Sequence, residues 1–340
     1  AKALSQNARI LVMDEPTAAI SERESDRLFE VIARLKQRGV AIVYISHRMK
    51  EIMALGDRIT VMRDGAVVGS FLRGEATSGE LVRLMIGRSL DGMTRRAPAD
   101  AGACVLSADN LRTAKLQDIS LDVRAGEVVG LAGLVGSGRT EVVRAIFGVD
   151  PLAGGHIHLN GAPFTLRPDA SIRAGIALLP EDRKRQGLAL PLTVGDNTVA
   201  ASLWRLFRYF RFIPTTARQV CDDLIARLNI ATRGPGQQVH DLSGGNQQKI
   251  VLGKWLAAGG RLFLLDEPTR GVDVGAKAEI YRLIDGLAKD GAAVLVISSE
   301  FPELVHLCDR AYVMRDYAIV GHLDHGDLSE KAILDLAVHP

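Results

Sequence analysis

Laid against itself at an offset of 252 positions, the chain matches from its first residue to its last without a gap. Lys2 falls on Lys254, Asp14-Glu15-Pro16-Thr17 on Asp266-Glu267-Pro268-Thr269, and Gly39 on Gly291. Ser46 falls on Ser298, and Val61-Met62-Arg63-Asp64 on Val313-Met314-Arg315-Asp316. A repeat this long is a duplicated domain and not a solenoid, whose periods run roughly 20–50 residues. The copies differ at one telling place: His47 in "IVYISHRMKEI" is answered by Ser299 in "VLVISSEFPEL". Whatever that histidine does is written into one copy only.

The repeat sets the expected domains. Residues 1–89 are the C-terminal part of a first domain, and residues 104–340 are a complete second one. Between them, "LDGMTRRAPADAGA" at 90–103 is small and polar, which reads as a linker. If the first domain once matched the second from Cys104 onward, roughly 150 residues precede Ala1, and the chain is expected to be a fragment.

Locally, both copies alternate strand and helix. "RILVMDE" and "RLFLLDE" are apolar runs ending in carboxylates, as buried parallel strands do. "ERESDRLFEVIARLKQRG" and "GAKAEIYRLIDGLAKDG" have helical periodicity and close on glycine. Strand, helix, strand in succession predicts a mostly parallel α/β sheet.

Composition narrows the partners. Formal net charge is +2, so no long basic stripe supports a nucleic-acid partner. The longest apolar runs, such as 292–297, fall far short of the ~20 residues that span a bilayer. Cys104, Cys221 and Cys308 stand apart, without metal-ligand spacing, and read as reduced thiols in packing positions.

After the apolar run "EVVGLAG" comes Gly133-Leu134-Val135-Gly136-Ser137-Gly138-Arg139-Thr140, which fits G-x-x-x-x-G-K-[ST] with arginine in place of lysine. Glycines at this spacing turn backbone N–H groups toward phosphate oxygens, and the following helix adds its N-terminal dipole. Thr140 is placed to ligate Mg2+. Arginine keeps the charge but is planar and bulky, so it is a poor replacement for a point contact. Downstream stand Leu242-Ser243-Gly244-Gly245-Asn246-Gln247-Gln248 and then "RLFLLDEPTRGVD".

That ordered set resembles the ATP-binding cassette (ABC) family: phosphate loop, signature, and a strand ending in a catalytic carboxylate. Within it, "LLPEDRKRQGL" at 178–188, "LSGGNQQK" at 242–249, "DEPTRGVDVGAK" at 266–277 and "ISSEFPEL" at 297–304 resemble the twin-cassette ATPases of ribose, galactose and xylose importers. The resemblance implies P-loop NTPase cassettes, each a mostly parallel sheet flanked by helices with a helical subdomain and an antiparallel β subdomain. It implies ATP and Mg2+ as cofactors, integral-membrane permease subunits as partners and a place on the cytoplasmic face of the inner membrane. An extracytoplasmic sugar-binding protein would act through the permease.

The resemblance further implies that each ATP lies between one cassette and the signature of the other. A competent site would join Glu15 and His47 to Ser243, Gly244, Gly245 and Asn246, with Asp14 near the metal. A second site would use Gly133, Gly136, Ser137, Gly138, Arg139 and Thr140 with Asp266, Glu267 and Ser299. Glu181, following Pro180, stands where many cassettes have a magnesium-sensing glutamine, and Cys104–Ser120 contains no aromatic to stack on adenine. The second site is therefore expected to be degenerate, and the chain alone inactive in hydrolysis. Ser21, opposite Asp273, alters the first copy's loop as well.

Two readings remain open. "SLWRLFRYFRF" at 202–212 is expected to be helical, with Arg205, Arg208 and Arg211 on one face, either docking a permease or lying solvated over a subdomain core. The solute could be a sugar, a nucleoside or a signalling furanose. A soluble twin cassette acting on ribosomes or nucleic acid would instead show two intact ATP sites.

Overall fold

The computed structural model describes residues 8–14, 16–17, 22–46, 49–63, 66–86, 95–98, 100–208 and 211–338. Apart from residues 273–275, which group with the first, the chain divides at Met93–Thr94 into two compact units. Glu15, Ser21 and His47 lie outside the described residues.

The first unit contains β1 (Ile10–Asp14), α1 (Glu22–Gln37), β2 (Ala41–Ile45), α2 (Met49–Leu55), β3 (Arg58–Arg63), β4 (Ala66–Leu72) and α3 (Ser78–Ile86). Strands β1 and β2 pair in parallel, Ile10 opposite Ala41 and Asp14 opposite Ile45. Strands β3 and β4 form an antiparallel hairpin, irregular between Val61 and Met62. A small core of Val61, Ala76 and Leu81 forms where α3 covers that hairpin.

The second unit opens with β5 (Cys104–Arg112), β6 (Ile119–Arg124), β7 (Val128–Gly133), α4 (Arg139–Phe147), β8 (Gly154–Leu159), β9 (Ala162–Pro163), α5 (Pro168–Arg173) and β10 (Ile176–Leu179). A helical region follows: α6 (Val194–Val199), the two-residue strands β11 (Phe207–Arg208) and β12 (Arg211–Phe212), α7 (Pro214–Arg227) and α8 (Gly244–Ala257). The chain then returns through β13 (Leu262–Asp266), α9 (Val274–Lys289), β14 (Ala293–Ile297), α10 (Phe301–Leu307), β15 (Arg310–Arg315), β16 (Ala318–Asp324) and α11 (Glu330–Val338).

Six strands form the central sheet in the order β10-β13-β14-β7-β15-β16, parallel except for the last, and β6-β5-β8-β9 form a separate antiparallel sheet. Every residue of β7, β13 and β14 is buried. Strands covered on both faces need continuous apolar runs, and these strands have them. The expected architecture, a mostly parallel sheet with a helical region and an antiparallel β region, is the one observed.

The duplication is visible in three dimensions. In the second unit Leu262 lies opposite Ala293 and Asp266 opposite Ile297, repeating the first unit's register at the same offset. The hairpin β15–β16 is irregular between Val313 and Met314, where β3–β4 is irregular between Val61 and Met62. Helices α1 and α9 are followed by Gly39 and Gly291, both at positive φ, as the sequence predicts.

Two segments differ from expectation. Residues 202–212 are not one helix: a short 3-10 turn, Ala200–Arg205, gives way to the antiparallel ribbon of β11 and β12. The aromatic residues interleaved with the arginines favour extended backbone, and that preference overrides the three-residue spacing. Arg205 lies over the Trp204 ring, 4.8 Å from its centroid. Within the segment read as a linker, Arg96 is bound to the second unit. It donates from Nη2 to the Gly126 carbonyl at 2.8 Å and lies within 3.7 Å of both Asp285 and Asp309, its side chain only 9% exposed.

Candidate nucleotide site

Strand β7 delivers the chain, at the C-terminal edge of the parallel sheet, into the loop 134–138 and then α4. This is where α/β sheets place phosphate sites. Gly138 sits at φ 102, and a Cβ there would lie 2.7 Å from Cδ1 of Tyr317, so only glycine fits. Ser137 is buried and its Oγ has no hydrogen-bond partner, leaving an available donor inside the loop.

Thr140, in the first turn of α4, donates from Oγ1 to Oδ2 of Asp266 at 2.8 Å. Asp266 is 2% exposed, and its Oδ1 has no partner. Burial pushes its carboxyl up to about 6. A hydroxyl beside a carboxylate with an unsatisfied buried oxygen is a donor set that suits a hard cation such as Mg2+. Asp14 ends β1 as Asp266 ends β13, but in an exposed position. The Glu181 carboxylate pairs with the Arg270 guanidinium.

Arg139 turns away from the loop. Its side chain is 7% exposed, and Nη1 donates to the Ser298 carbonyl at 2.5 Å while Nη2 lies 3.7 Å from Oε1 of Glu267. Ser299 donates from Oγ to the other carboxylate oxygen, Oε2, at 3.1 Å. Both oxygens of Glu267 therefore face donors. Burial pushes Glu267 up to about 7, with Arg139 and Ser299 opposing the shift. Such a value suits a general base, but Arg139 and Ser299 compete with water for its two oxygens.

The signature begins α8. Ser243 caps the helix, its Oγ accepting from the Asn246 backbone N–H at 3.4 Å and from Asn246 Nδ2 at 2.9 Å. A Cβ on Gly244 would lie 2.5 Å from the Gly271 carbonyl and 2.6 Å from Nη2 of Arg183, and one on Gly245 would lie 2.4 Å from the Ala276 Cβ. Bare backbone is required there, and Ser243 remains exposed at the helix N-terminus.

Sequence reasoning passed over two buried glutamates. Glu303 accepts from Thr269 Oγ1 at 3.0 Å and from Ser298 Oγ at 2.5 Å. At the same offset, Glu51 accepts from Thr17 Oγ1 at 2.7 Å and from Ser46 Oγ at 2.8 Å. Each ties the "DEPT" segment to the segment holding Ser299 or His47. The signal was present: Thr17, Ser46 and Glu51 all coincide with their partners in the repeat.

The family model described as ABC transporter matches residues 116–270. A ribose import ATP-binding protein, RbsA, of Yersinia pestis bv. Antiqua is 50% identical over 99% of this chain and 67% of its own length. A second, RbsA 2 of Streptomyces coelicolor, is 48% identical over 99% of this chain and 66% of its own. The chain thus spans about two thirds of these relatives. Among solved structures, a nucleotide-free ATP-binding cassette from an ABC transporter superposes with a TM-score of 0.60 at 18% identity, covering 70% of this chain and all of that one. A bacterial ABC transporter cassette solved as a dimer superposes at 0.57 and 19%, covering 65% and 98%. These structures share the fold.

Proposed function

The chain belongs to the ATP-binding cassette family of transporter ATPases, and from that premise we propose that it drives import of a monosaccharide, most simply ribose, through partner membrane subunits. The observation that carries the reading is identity near 50% to ribose import ATP-binding proteins along 99% of the chain, through both copies of the repeat. Among the described residues no helix is long and apolar enough to cross a membrane. As an import ATPase of this family the chain would act peripherally, at the cytoplasmic face, on permease subunits that hold the solute path.

On this reading the two ATP sites are composite and unequal. In the first, Glu15 is the residue that would polarise the attacking water and His47 the one that would hold the terminal phosphate, with Ser243 and the amides of Gly244 and Gly245 as the signature donors to it. The phosphate loop completing that site is not in this sequence. In the second, loop 133–138 cradles phosphates, and Thr140 and Asp266 hold Mg2+. Bound there, Mg2+ would neutralise phosphate charge.

Glu267 is a handicapped base in that second site because Arg139 and Ser299 compete with water for its oxygens. Nucleotide is then retained more than it is turned over, which would hold the cassettes together between cycles. In the protein as its cell makes it, reconstituted with its permease, Glu15→Gln should abolish ATP-driven ribose uptake, whereas Glu267→Gln should leave most of it. Abolition by Glu267→Gln alone would reverse the assignment, and ATP turnover without uptake of any monosaccharide would defeat the importer reading.

A further inference from the structure

Hairpin β15–β16 turns on Asp316 and Tyr317, both in the left-handed region at φ 48 and 65. Two such residues make the tight turn that matches strand twist, and glycine, asparagine and aspartate take it readily. A bulky tyrosine does so at a cost of about 1–2 kcal/mol. The first copy of the repeat has Gly65 at the corresponding position. The second copy has accepted an unfavourable residue where an easy one was available, and strain of that kind clusters at binding sites.

The tyrosine is tied to the phosphate loop. Its N–H donates to the Ser137 carbonyl at 2.9 Å, and its own carbonyl accepts from the Gln117 N–H at 3.0 Å. Its Cδ1 is the atom that excludes any Cβ from Gly138. On another side, Lys115 Nζ lies 6.0 Å from the ring centroid and pairs with Glu141, in the first turn of α4, at 2.8 Å. The half-buried ring thus stands at the rim of the loop, between the start of α4 and the turn leading into β6. The base of a nucleotide anchored by its phosphates at 133–140 would meet this ring if carried outward over the rim. The strand β5 and the turn after it, which flank the same rim, offer no aromatic ring.

We propose that Tyr317 is the base-stacking residue of the second nucleotide site, its ring taking the adenine of ATP. This rests on the reading of loop 133–140 as a nucleotide site and deepens it. Stacking explains why a strained tyrosine is kept at a turn that glycine would fill, since a base on an aromatic face is a sizeable source of affinity. The competing account is that the ring only props Gly138 in place.

Inorganic tripolyphosphate separates the two, because it uses the loop and has no base. Calorimetric titration of the 340-residue chain with MgATP and with magnesium tripolyphosphate should be made on wild type, Tyr317→Gly and Tyr317→Phe. Glycine suits the backbone, so that variant should fold. Tyr317→Gly should weaken ATP on the order of tenfold and leave tripolyphosphate unchanged, while Tyr317→Phe should match wild type for both. Equal losses for both ligands in Tyr317→Gly would make the ring a prop, and no loss for either would remove it from the site; each overturns the proposal. A wild-type chain binding neither ligand would instead overturn the nucleotide site itself, and this proposal with it.

Discussion

Arg139 and Glu267 face each other at 3.7 Å with side chains only 7% and 11% exposed, so the cation of the phosphate loop is turned toward the carboxylate that ends β13. Burial outweighs the attraction on both sides: it lowers the Arg139 pKa and raises that of Glu267 despite the opposite charge beside each. A pair held this way is poised to exchange partners when a more strongly charged anion arrives. Glu267→Gln removes the competing carboxylate, and the affinity of the second loop for ATP should rise on the order of tenfold, one charge interaction of about 1.4 kcal/mol. Titration with a non-hydrolysable ATP analogue measures it. Unchanged affinity would show that Arg139 does not choose between Glu267 and phosphate.

The same two carboxyls shape the pH dependence of stability. Folding raises Asp266 from 3.8 to about 6 and Glu267 from 4.5 to about 7. Acids raised on folding bind protons more tightly in the native state, so their contribution is complete below about pH 4 and is lost as pH climbs through 6 and 7. From Glu267 alone the loss is roughly 3 kcal/mol at most. Urea unfolding of the nucleotide-free chain at several pH values should show stability falling across this window, with a shallower fall in Glu267→Gln. Parallel slopes for the two proteins would mean that folding leaves the Glu267 pKa unshifted.

The glutamate network common to both units makes a claim about stability. Glu303 is 2% exposed and accepts from two hydroxyls, so Glu303→Ala leaves Thr269 and Ser298 without their buried acceptor as well as opening space. A cost of about 2–4 kcal/mol is expected, against about 1 kcal/mol for Glu303→Gln, which keeps an acceptor oxygen. Glu51→Ala should cost at least as much as Glu303→Ala, because Tyr44 adds a third donor at 2.8 Å. Denaturant midpoints decide it; equal costs for the alanine and glutamine variants at 303 would leave the hydrogen bonds with no measurable part in the stability.

What the sequence disclosed was whatever the repeat could amplify. The strands β1 and β13 and the glycine ends of α1 and α9 recur at one offset, so weak local signals were read twice. The destination of Arg139 was hidden, because a side chain's choice between phosphate loop and Ser298 carbonyl depends on tertiary packing. Segment 202–212 misled because three-residue arginine spacing fits a helix while its aromatics favour a ribbon. Glu51 and Glu303 were overlooked since a glutamate in a helix ordinarily faces water, and only the fold shows them turned inward.

Arg183 should prove to be a positioning residue for the signature. It leads the π-helical turn Arg183–Gly187, and its guanidinium donates from Nη1 to the Arg270 carbonyl at 2.6 Å and from Nη2 to the Gly271 carbonyl at 2.9 Å. The same Nη2 abuts Gly244, so one planar group spaces the loop after β13 from the first turn of α8. Only a fork of donors serves two adjacent carbonyls at once, and lysine offers a single point. Arg183→Ala should therefore cost about 2 kcal/mol of stability and lower kcat for ATP in the protein as its cell makes it more than tenfold, with a smaller change in KM, because the signature acts on the reacting phosphate. Arg183→Lys should recover little of the rate. Gly244→Ala should imitate the loss, since its Cβ would push into both Arg183 and the Gly271 carbonyl. If Arg183→Lys restored full turnover, charge alone would be sufficient and the forked contact would not be what positions the signature.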